Sequence, residues 1–327
     1  MLELRLGELL DELCPYLPSV VGIQLPAGLR RYATEISGVL EGAGYSVVFS
    51  GDPSYGACDV ADEDMAAAGA DVLVHFGHSK MMETSSIPVV YWEVRDSIDP
   101  VPALRANLSL IKGLGTRVGV VTTVQHVHMI DAALDYLRSE GLDAKAGGPG
   151  SRVSYRGQVL GCSFETAHRV DADFYVFVGT GRFHPLGISF GTQKPVVACE
   201  PYSQECEVIS AYESPLFRKR IAMIEKARQC ENFGIVVSTK RGQYRRRDAE
   251  SVRKILSDEG KGCQLIFTKE ISPSMLMDFD FDAYVIAACP RIAIDDAGLF
   301  ETPVLTVKEA HIMAKGGEYM FDEIDNL

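Results

Sequence analysis

Three widely spaced cysteines stand in loops where a thiolate can hold a metal. Cys58 lies in GDPSYGACDVADED, Cys162 in VLGCSFETA and Cys289 in AACPRIAIDD. Each loop contains glycine or proline, and cysteine thiolates are the usual protein ligands of iron–sulfur clusters. We therefore predict that the three cysteines converge on one such cluster. Because three thiolates leave one iron of a four-iron cluster without a protein ligand, the pattern indicates chemistry on a substrate at that iron.

The remaining cysteines have no comparable setting. Cys14, Cys199, Cys230 and Cys263 are typical of small buried thiols, and Cys206 is predicted to be exposed without a partner. No C-x2-C or C-x3-C-x2-C spacing occurs in the chain, so the local signatures of ferredoxins, zinc knuckles and ordinary radical enzymes are absent. A redox or metal sensor that holds the cluster, or a zinc ion, without catalysis stays open as an alternative.

The composition is that of an acidic globular protein. The 327 residues are 46% hydrophobic and 24% charged, a balance that supports two or three packed domains. No apolar run reaches the roughly 18 residues of a membrane span, and the first residues lack the basic region of a signal peptide, so we predict a cytoplasmic protein without membrane contact. The net charge of -13 disfavours nucleic acid as a partner.

The elements that must position the cysteines recur three times along the chain. Each repeat reads as strand, turn, amphipathic helix and strand, followed by two short apolar strands such as GADVLVHFGHS and IPVVYWE. The amphipathic helices end at Gly44, Gly141 and Gly260, since glycine readily adopts the left-handed conformation that ends a helix. The pattern predicts three small parallel α/β domains, over residues 1–112, 113–212 and 213–327.

The position of each cysteine within its repeat indicates where the cluster lies. Open parallel sheets bind ligands beyond the carboxyl ends of their strands, so a pseudo-threefold triangular arrangement of the domains would surround one central site. Cys58 and Cys162 occupy similar places in their repeats. Cys289 instead follows the strand AYVIAA directly, at the place that His78 takes in the first repeat.

Several residues near predicted strand ends are candidates for contacts with a cofactor. These residues are Gln24, Pro26, Gly28, His78, Gly181, Arg182 and His184, with Asp295 and Asp296 as orienting groups behind the ligands. Purely structural roles stay open as alternatives. The segment 24–28 could be an ordinary strand-to-helix turn, the two histidines could be hydrogen-bonded structural residues, and the two aspartates could cap the next turn. The basic run 240–247, KRGQYRRR, is predicted to be a solvated helix start, with a carboxylate-binding fork or an acidic-partner patch as alternatives.

Motifs in all three repeats resemble those of one enzyme family. At GDPSYGACDVADED, VLGCSFETA, GTGRFHPLG, PVVACEPYS and AACPRIAIDD the chain resembles the diphthamide biosynthesis enzymes, the 2-(3-amino-3-carboxypropyl)histidine synthases. The resemblance spans nearly the whole chain, and it implies that Cys58, Cys162 and Cys289 hold a [4Fe-4S] cluster. One departure is Thr180 in GTGRFHP, where the family pattern suggests an acidic residue.

The resemblance also implies a reaction and its partners. The reduced cluster would cleave S-adenosylmethionine to methylthioadenosine and a 3-amino-3-carboxypropyl radical, which adds to C2 of a histidine of translation elongation factor 2. A single chain with all three cysteines is similar to the archaeal form, which implies a homodimeric transferase supplied with electrons by a donor such as a ferredoxin. Quinolinate synthase, with three α/β units around a three-cysteine cluster, is the alternative enzyme.

Overall fold

Three separate sheets of mainly parallel strands form the framework of the molecule. The computed structural model describes residues 2–84 and 86–324, and it places each sheet within one of the predicted repeats. The predicted fold class, an α/β protein with three small parallel sheets, is confirmed. Among the described helices, none is both long and apolar enough to cross a membrane.

The first segment holds a four-stranded parallel sheet of order β3-β2-β4-β5. Its elements are β1 (Leu2–Glu3), α1 (Leu6–Leu13), β2 (Val20–Gln24), α2 (Ala33–Gly42), β3 (Ser46–Phe49), α3 (Asp62–Ala67), β4 (Val72–Phe76), β5 (Val89–Trp92), β6 (Arg95–Asp96), α4 (Val101–Ala106) and α5 (Leu108–Lys112). The short strands β1 and β6 form a separate antiparallel pair. The apolar faces of α1 and α2 pack with β2 and β4 in one core.

The second segment holds a five-stranded sheet of order β11-β10-β9-β7-β8. Its elements are β7 (Arg117–Thr122), α6 (Ile130–Ser139), β8 (Asp143–Lys145), α7 (Glu165–His168), β9 (Phe174–Val178), α8 (Phe183–Thr192), β10 (Val196–Glu200) and β11 (Glu205–Ile209). Strand β11 is antiparallel to β10 and is the one strand of this sheet that the repeat pattern does not predict.

The hairpin of β10 and β11 changes the interpretation of two cysteines. The strand register sets Cys199 directly opposite Cys206, and the two form a disulfide. The prediction that Cys206 lacks a partner, and that Cys199 is an inert thiol, is therefore wrong. The turn carries Gln204 in the left-handed conformation, with φ at 57°, so no glycine or asparagine marks the hairpin in the sequence. Cys14, predicted to be buried, is exposed.

The third segment holds a four-stranded parallel sheet of order β13-β12-β14-β15. Its elements are α9 (Pro215–Ala227), β12 (Asn232–Ser238), α10 (Arg246–Asp258), β13 (Gly262–Thr268), α11 (Pro273–Met277), β14 (Ala283–Ala287), α12 (Pro290–Asp295), β15 (Val304–Thr306) and α13 (Val307–Lys315). The apolar core of this segment continues into that of the second segment.

The ends of the three amphipathic helices follow the sequence pattern. Gly44, Gly141 and Gly260 lie just beyond α2, α6 and α10, with φ of 96°, 86° and 76°. Each amide also donates to a carbonyl three residues earlier, which closes the last turn of the helix. A side chain would strain this backbone, which explains the glycines. The domain limits after residues 112 and 212 lie between sheets and stay a prediction, as does the pseudo-threefold arrangement.

Candidate metal centre

A cavity of about 520 Å³ lies where loops of the three segments meet. Cys58, Cys162 and Cys289 all line it, together with His78 and His184. The loops that carry the cysteines and His78 follow the carboxyl ends of strands or precede short helices, and His184 lies in the first turn of α8. The structure thus brings the three cysteines to one place, as the sequence pattern predicts, while their role as cluster ligands stays a prediction.

The three cysteines reach the cavity from two kinds of loop. Cys58 lies between β3 and α3, and Cys162 lies between β8 and α7, so both follow the second strand of their sheet. The corresponding loop of the third segment, residues 269–272, lines the cavity without a cysteine. Cys289 instead follows β14 and comes directly before Pro290, the first residue of α12. The corresponding residue after β4 is His78.

The Cys58 loop is held from two sides. Behind it, the Gln24 side chain at the end of β2 donates from Nε2 to the Asp59 carbonyl at 2.7 Å and accepts at Oε1 from the Ala61 amide at 3.0 Å. In front, Gln243 Nε2 donates to Cys58 Sγ at 3.4 Å. Two amide side chains therefore fix the position of the sulfur before any metal binds.

The Cys162 loop is held by the last described residues of the chain. The Cys162 carbonyl accepts from the Ile324 amide at 2.8 Å, and the Glu323 carboxylate accepts from the Phe164 amide at 2.8 Å. The preceding residue, Asp322, forms a fully buried bidentate pair with Arg245, with both distances at 2.9 Å. Residues 322–324 thus connect the third segment with the cysteine loop of the second.

The environment of the sulfurs favours uncharged thiols in the metal-free chain. Burial, together with the neighbouring cysteines, raises the pKa of Cys58 to about 11 and that of Cys289 to about 12. Burial also raises the pKa of Cys162, against the attraction of Arg152. Binding of a metal requires thiolates, so loading of this site releases protons to solvent.

The three cysteines lie around one cavity, which is compatible with a multi-iron group. Within residues 2–84 and 86–324, no three side chains of His, Cys, Asp or Glu come close enough together to share a single metal ion. An iron–sulfur cluster binds each cysteine at a different iron, so its ligands surround a volume and need not meet at a point. Three cysteines around one cavity match that requirement.

A chain of buried hydrogen bonds ends at His78. Gln24 Oε1 already accepts from a backbone amide, so it accepts from His75 Nδ1 as well, at 2.7 Å. His75 Nε2 then carries the lone pair and accepts from His78 Nδ1 at 2.9 Å. Burial lowers the pKa of His75 well below its ordinary value and that of His78 to about 4. His78 is therefore neutral, and its Nε2 is an acceptor that cannot donate to a cluster sulfide.

The ring proton of His78 provides a direct test of this chain. Nitrogen-15 spectra of the metal-free protein should show both His75 and His78 neutral at pH 7 and protonated at Nδ1. Replacing His75 by phenylalanine removes the imidazole acceptor of His78 and leaves the Phe76 carbonyl as its remaining acceptor, so the share of Nε2-protonated His78 should rise. His311→Phe, a change on α13, should leave the His78 signals in place. An Nε2-protonated His78 in the unaltered protein would contradict the chain.

The other predicted contacts are distributed unevenly. Asp295 and Asp296 line the cavity, and Asp295 also pairs with Arg291 at 2.6 Å. Gln24 lines a smaller neighbouring cavity and acts through the Cys58 loop. Besides Gln24, the candidates that do not line the central cavity are Pro26, Gly28, Gly181 and Arg182. Arg182 extends toward solvent and pairs with Glu207 at 2.9 Å.

The prediction of a solvated helix start for the basic run 240–247 is confirmed for Arg246 and Arg247, which begin α10 and are exposed. It is wrong for the residues before them. Lys240 is buried and pairs with Asp59 at 3.0 Å and with Glu270, while Arg241 pairs with Asp62. A short 3-10 turn over 241–243 carries Gly242 and Gln243 to the Cys58 loop before α10 begins. The sequence gives each of these positive charges, but it does not show the acids of the first segment that neutralise them.

Gly242 allows the close approach of this turn to Cys58. A Cβ atom on residue 242 would lie 2.4 Å from the Cys58 Cα and 2.7 Å from its Cβ. Gly242→Ala should therefore separate the two loops, destabilise the protein by about 1–3 kcal/mol and lower the iron content per chain. Gly38→Ala on α2 is the control, because a Cβ there meets open space and should not lower either quantity. Full iron loading of Gly242→Ala would refute the close contact.

The fold and the cavity define an α/β protein of three parallel-sheet segments whose cysteines share one site. The family model of the diphthamide synthesis proteins matches residues 25–323, which is most of the chain. The chain therefore belongs to the diphthamide synthesis protein family. This match confirms the resemblance that the motifs indicated, and it favours that family over the quinolinate synthases.

Curated relatives and solved structures agree with this membership. The chain is 40% identical to the 2-(3-amino-3-carboxypropyl)histidine synthase of Pyrococcus horikoshii over 98% of this chain and 94% of the relative. It is 30% identical to the Methanocaldococcus jannaschii 2-(3-amino-3-carboxypropyl)histidine synthase, over 94% of this chain and 88% of the relative. The crystal structure of Dph2 from Pyrococcus horikoshii with a 4Fe-4S cluster superposes with a TM-score of 0.94 at 39% identity, covering 100% of this chain and 95% of that one. The predictions of an archaeal-type enzyme of this family and of a cluster as its cofactor are confirmed.

Proposed function

We propose that this chain holds a [4Fe-4S] cluster through Cys58, Cys162 and Cys289 and acts as a 2-(3-amino-3-carboxypropyl)histidine synthase. The carrying observation is the convergence of one cysteine from each segment on a single cavity, in a chain whose solved relative contains such a cluster. Three ligands leave one iron open to a co-substrate.

The proposed reaction is the transfer of the 3-amino-3-carboxypropyl group of S-adenosylmethionine to a histidine of translation elongation factor 2. The bond from the sulfonium to the γ-carbon breaks, a bond from that carbon to imidazole C2 forms, and methylthioadenosine and the C2 proton leave. When bound, the cluster would supply the electron that starts this radical chemistry at the sulfonium, and one electron would return as the imidazole adduct loses its C2 proton, so the transfer consumes no electron overall.

The residues of the chain bind and orient the reactants around the site. The cavity volume of about 520 Å³ lies within the range of small-molecule sites. His78 offers the unprotonated Nε2 to a donor of either substrate, and His184, whose pKa burial lowers to about 4, is neutral as well. Arg291 and Lys240 at the cavity wall each have a carboxylate partner, so they add polarity without an unpaired charge.

Two positions of the isotope in S-adenosylmethionine test the proposed transfer. With anaerobically reconstituted protein, dithionite and elongation factor 2, label in the carboxypropyl portion should appear in the factor. Label in the methyl group should appear in methylthioadenosine and not in the factor. Elongation factor 2 in which the accepting histidine is replaced is the control and should stay unlabelled. Absence of protein label from a fully iron-loaded enzyme, with dihydroxyacetone phosphate consumed alongside iminoaspartate, would point to quinolinate synthesis instead.

We further infer a homodimer in the cytoplasm that receives electrons from a small iron–sulfur donor such as a ferredoxin. These inferences rest on the family resemblance alone. Sedimentation of the reconstituted protein tests the dimer, and replacement of dithionite by a reduced ferredoxin in the labelling reaction tests the donor.

A further inference from the structure

Arg152 is a buried cation with unused hydrogen-bond donors at the cysteine cavity. Its side chain is 1% exposed, and it lines the cavity. Nη2 donates to the Gly242 carbonyl at 2.9 Å. Nε and Nη1 are buried, and no atom of the described chain accepts a hydrogen bond from either. The guanidinium is thus positioned by the bond from Nη2, while Nε and Nη1 can still donate hydrogen bonds.

The other deeply buried cations of the described chain show what Arg152 lacks. Lys240 pairs with Asp59, Arg245 with Asp322 and Arg220 with Glu309. A buried charge without an opposite charge costs several kcal/mol of stability. The buried charge of Arg152, with Nε and Nη1 unpartnered, therefore favours an anion at the cavity.

Arg152 shares the cavity with the thiols of the proposed metal centre and interacts with two of them. Its charge acts directly on Cys58 and Cys162, and it forms a side-chain contact with Cys162. When the site is loaded, all three cysteines are thiolates and the cluster with its ligands carries net negative charge. Sulfur atoms accept hydrogen bonds, and such bonds together with nearby charge set the potential of an iron–sulfur cluster.

We propose that Arg152 donates from Nε and Nη1 to sulfur atoms of the cluster, and that it thereby makes the cluster easier to reduce. The inference rests on the proposed function, because it requires that Cys58, Cys162 and Cys289 hold the cluster. The one-electron step concerned is the uptake of an electron by the oxidised cluster from a reductant such as dithionite. A positive donor stabilises the additional negative charge, so Arg152 is a positioning and tuning residue.

A redox titration of the loaded protein, followed by electron resonance, measures the effect. Arg152→Gln keeps polar donors but removes the charge, and it should lower the equilibrium constant for reduction about tenfold, which is about 59 mV for one electron. Arg152→Lys keeps the positive charge but lacks the planar guanidinium, so its reduction potential should lie between those of the unaltered protein and Arg152→Gln. Arg156→Gln is the control, since Arg156 pairs with Asp131 away from the cavity, and it should titrate like the unaltered protein.

The metal-free protein gives a second, independent measurement. Arg152→Met removes the unpaired charge, so its urea midpoint should equal or exceed that of the unaltered apoprotein. Loss of the cluster from Arg152→Gln with a folded apoprotein would also support the proposal, because the anionic group would then have lost its partner. An unchanged potential at full iron content, or an unfolded Arg152→Met apoprotein, would overturn it. Failure of the unaltered protein to take up iron and sulfide would instead refute the proposed function.

Discussion

Cys289→Ala protein should purify folded but without an iron–sulfur cluster, and it should transfer no label to elongation factor 2. Two cysteines do not hold a four-iron cluster firmly, and an alanine after β14 offers no ligand in place of the thiolate. The change removes one atom from a cavity wall, so the apoprotein should unfold at nearly the unaltered urea concentration. Iron and sulfide analysis after anaerobic reconstitution, with the visible absorbance of the cluster, provides the measurement.

Cys230→Ala is the matched control for the ligand variants. Cys230 is a partly buried thiol of the same segment whose sulfur contacts the Asp282 carbonyl at 3.5 Å, and it does not line the cavity. Its variant should keep full iron content. Cys58→Ala and Cys162→Ala should behave like Cys289→Ala, and full iron retention in any of the three would remove that cysteine from the ligand set.

Glu309→Ala should reduce the stability of the whole protein without touching the cavity. Glu309 is fully buried and binds Arg220 through both carboxylate oxygens, with Nε to Oε1 at 2.7 Å, and it also caps α13 by accepting from the Thr306 amide. Removal of the carboxylate leaves the Arg220 charge buried among carbonyls. The expected loss is about 3–5 kcal/mol, which urea unfolding of the apoprotein measures.

The comparison for this variant is Glu225→Ala on α9. Glu225 pairs with Arg228 at 3.0 Å, but its side chain is 62% exposed, so solvent screens the pair and its loss should cost less than about 1 kcal/mol. Equal losses in the two variants would show that Arg220 finds another partner. Helix α9, which carries Arg220 and Glu225, packs into the core of the third segment through Ile224 and Ala227.

Most of the fold could be predicted because its signals are local. Each apolar strand, each amphipathic helix and each closing glycine such as Gly141 lies within a window of a few residues, where periodicity decides the structure. The order of strands and helices within each repeat shows that the Cys58 and Cys162 loops occupy equivalent places. The same order shows that Cys289 occupies a different place. The hairpin that pairs Cys206 with Cys199 was missed because its turn contains Gln204 in place of glycine.

The support of the site could not be predicted, because it depends on contacts between distant parts of the chain. Arg152 bonds to the backbone 90 residues later, and Gln243 bonds to Cys58 185 residues earlier. No periodicity links such pairs, and a single arginine in GSRVSY has no feature that separates it from a surface residue. The basic run showed where positive charge lies, but the partners Asp59 and Asp62 belong to another segment.

The contacts of residues 322–324 make iron retention a measure of how the segments pack. Asp322 is fixed to Arg245 in the third segment, while the Ile324 amide holds the carbonyl of Cys162 in the second. Separation of the two segments would therefore displace a proposed ligand, and a bound metal would resist that separation. By thermodynamic linkage, metal binding stabilises the packing of the two segments by the same free energy by which that packing strengthens metal binding. Slow release of iron would therefore indicate that the second and third segments are firmly packed, including at contacts far from the cavity.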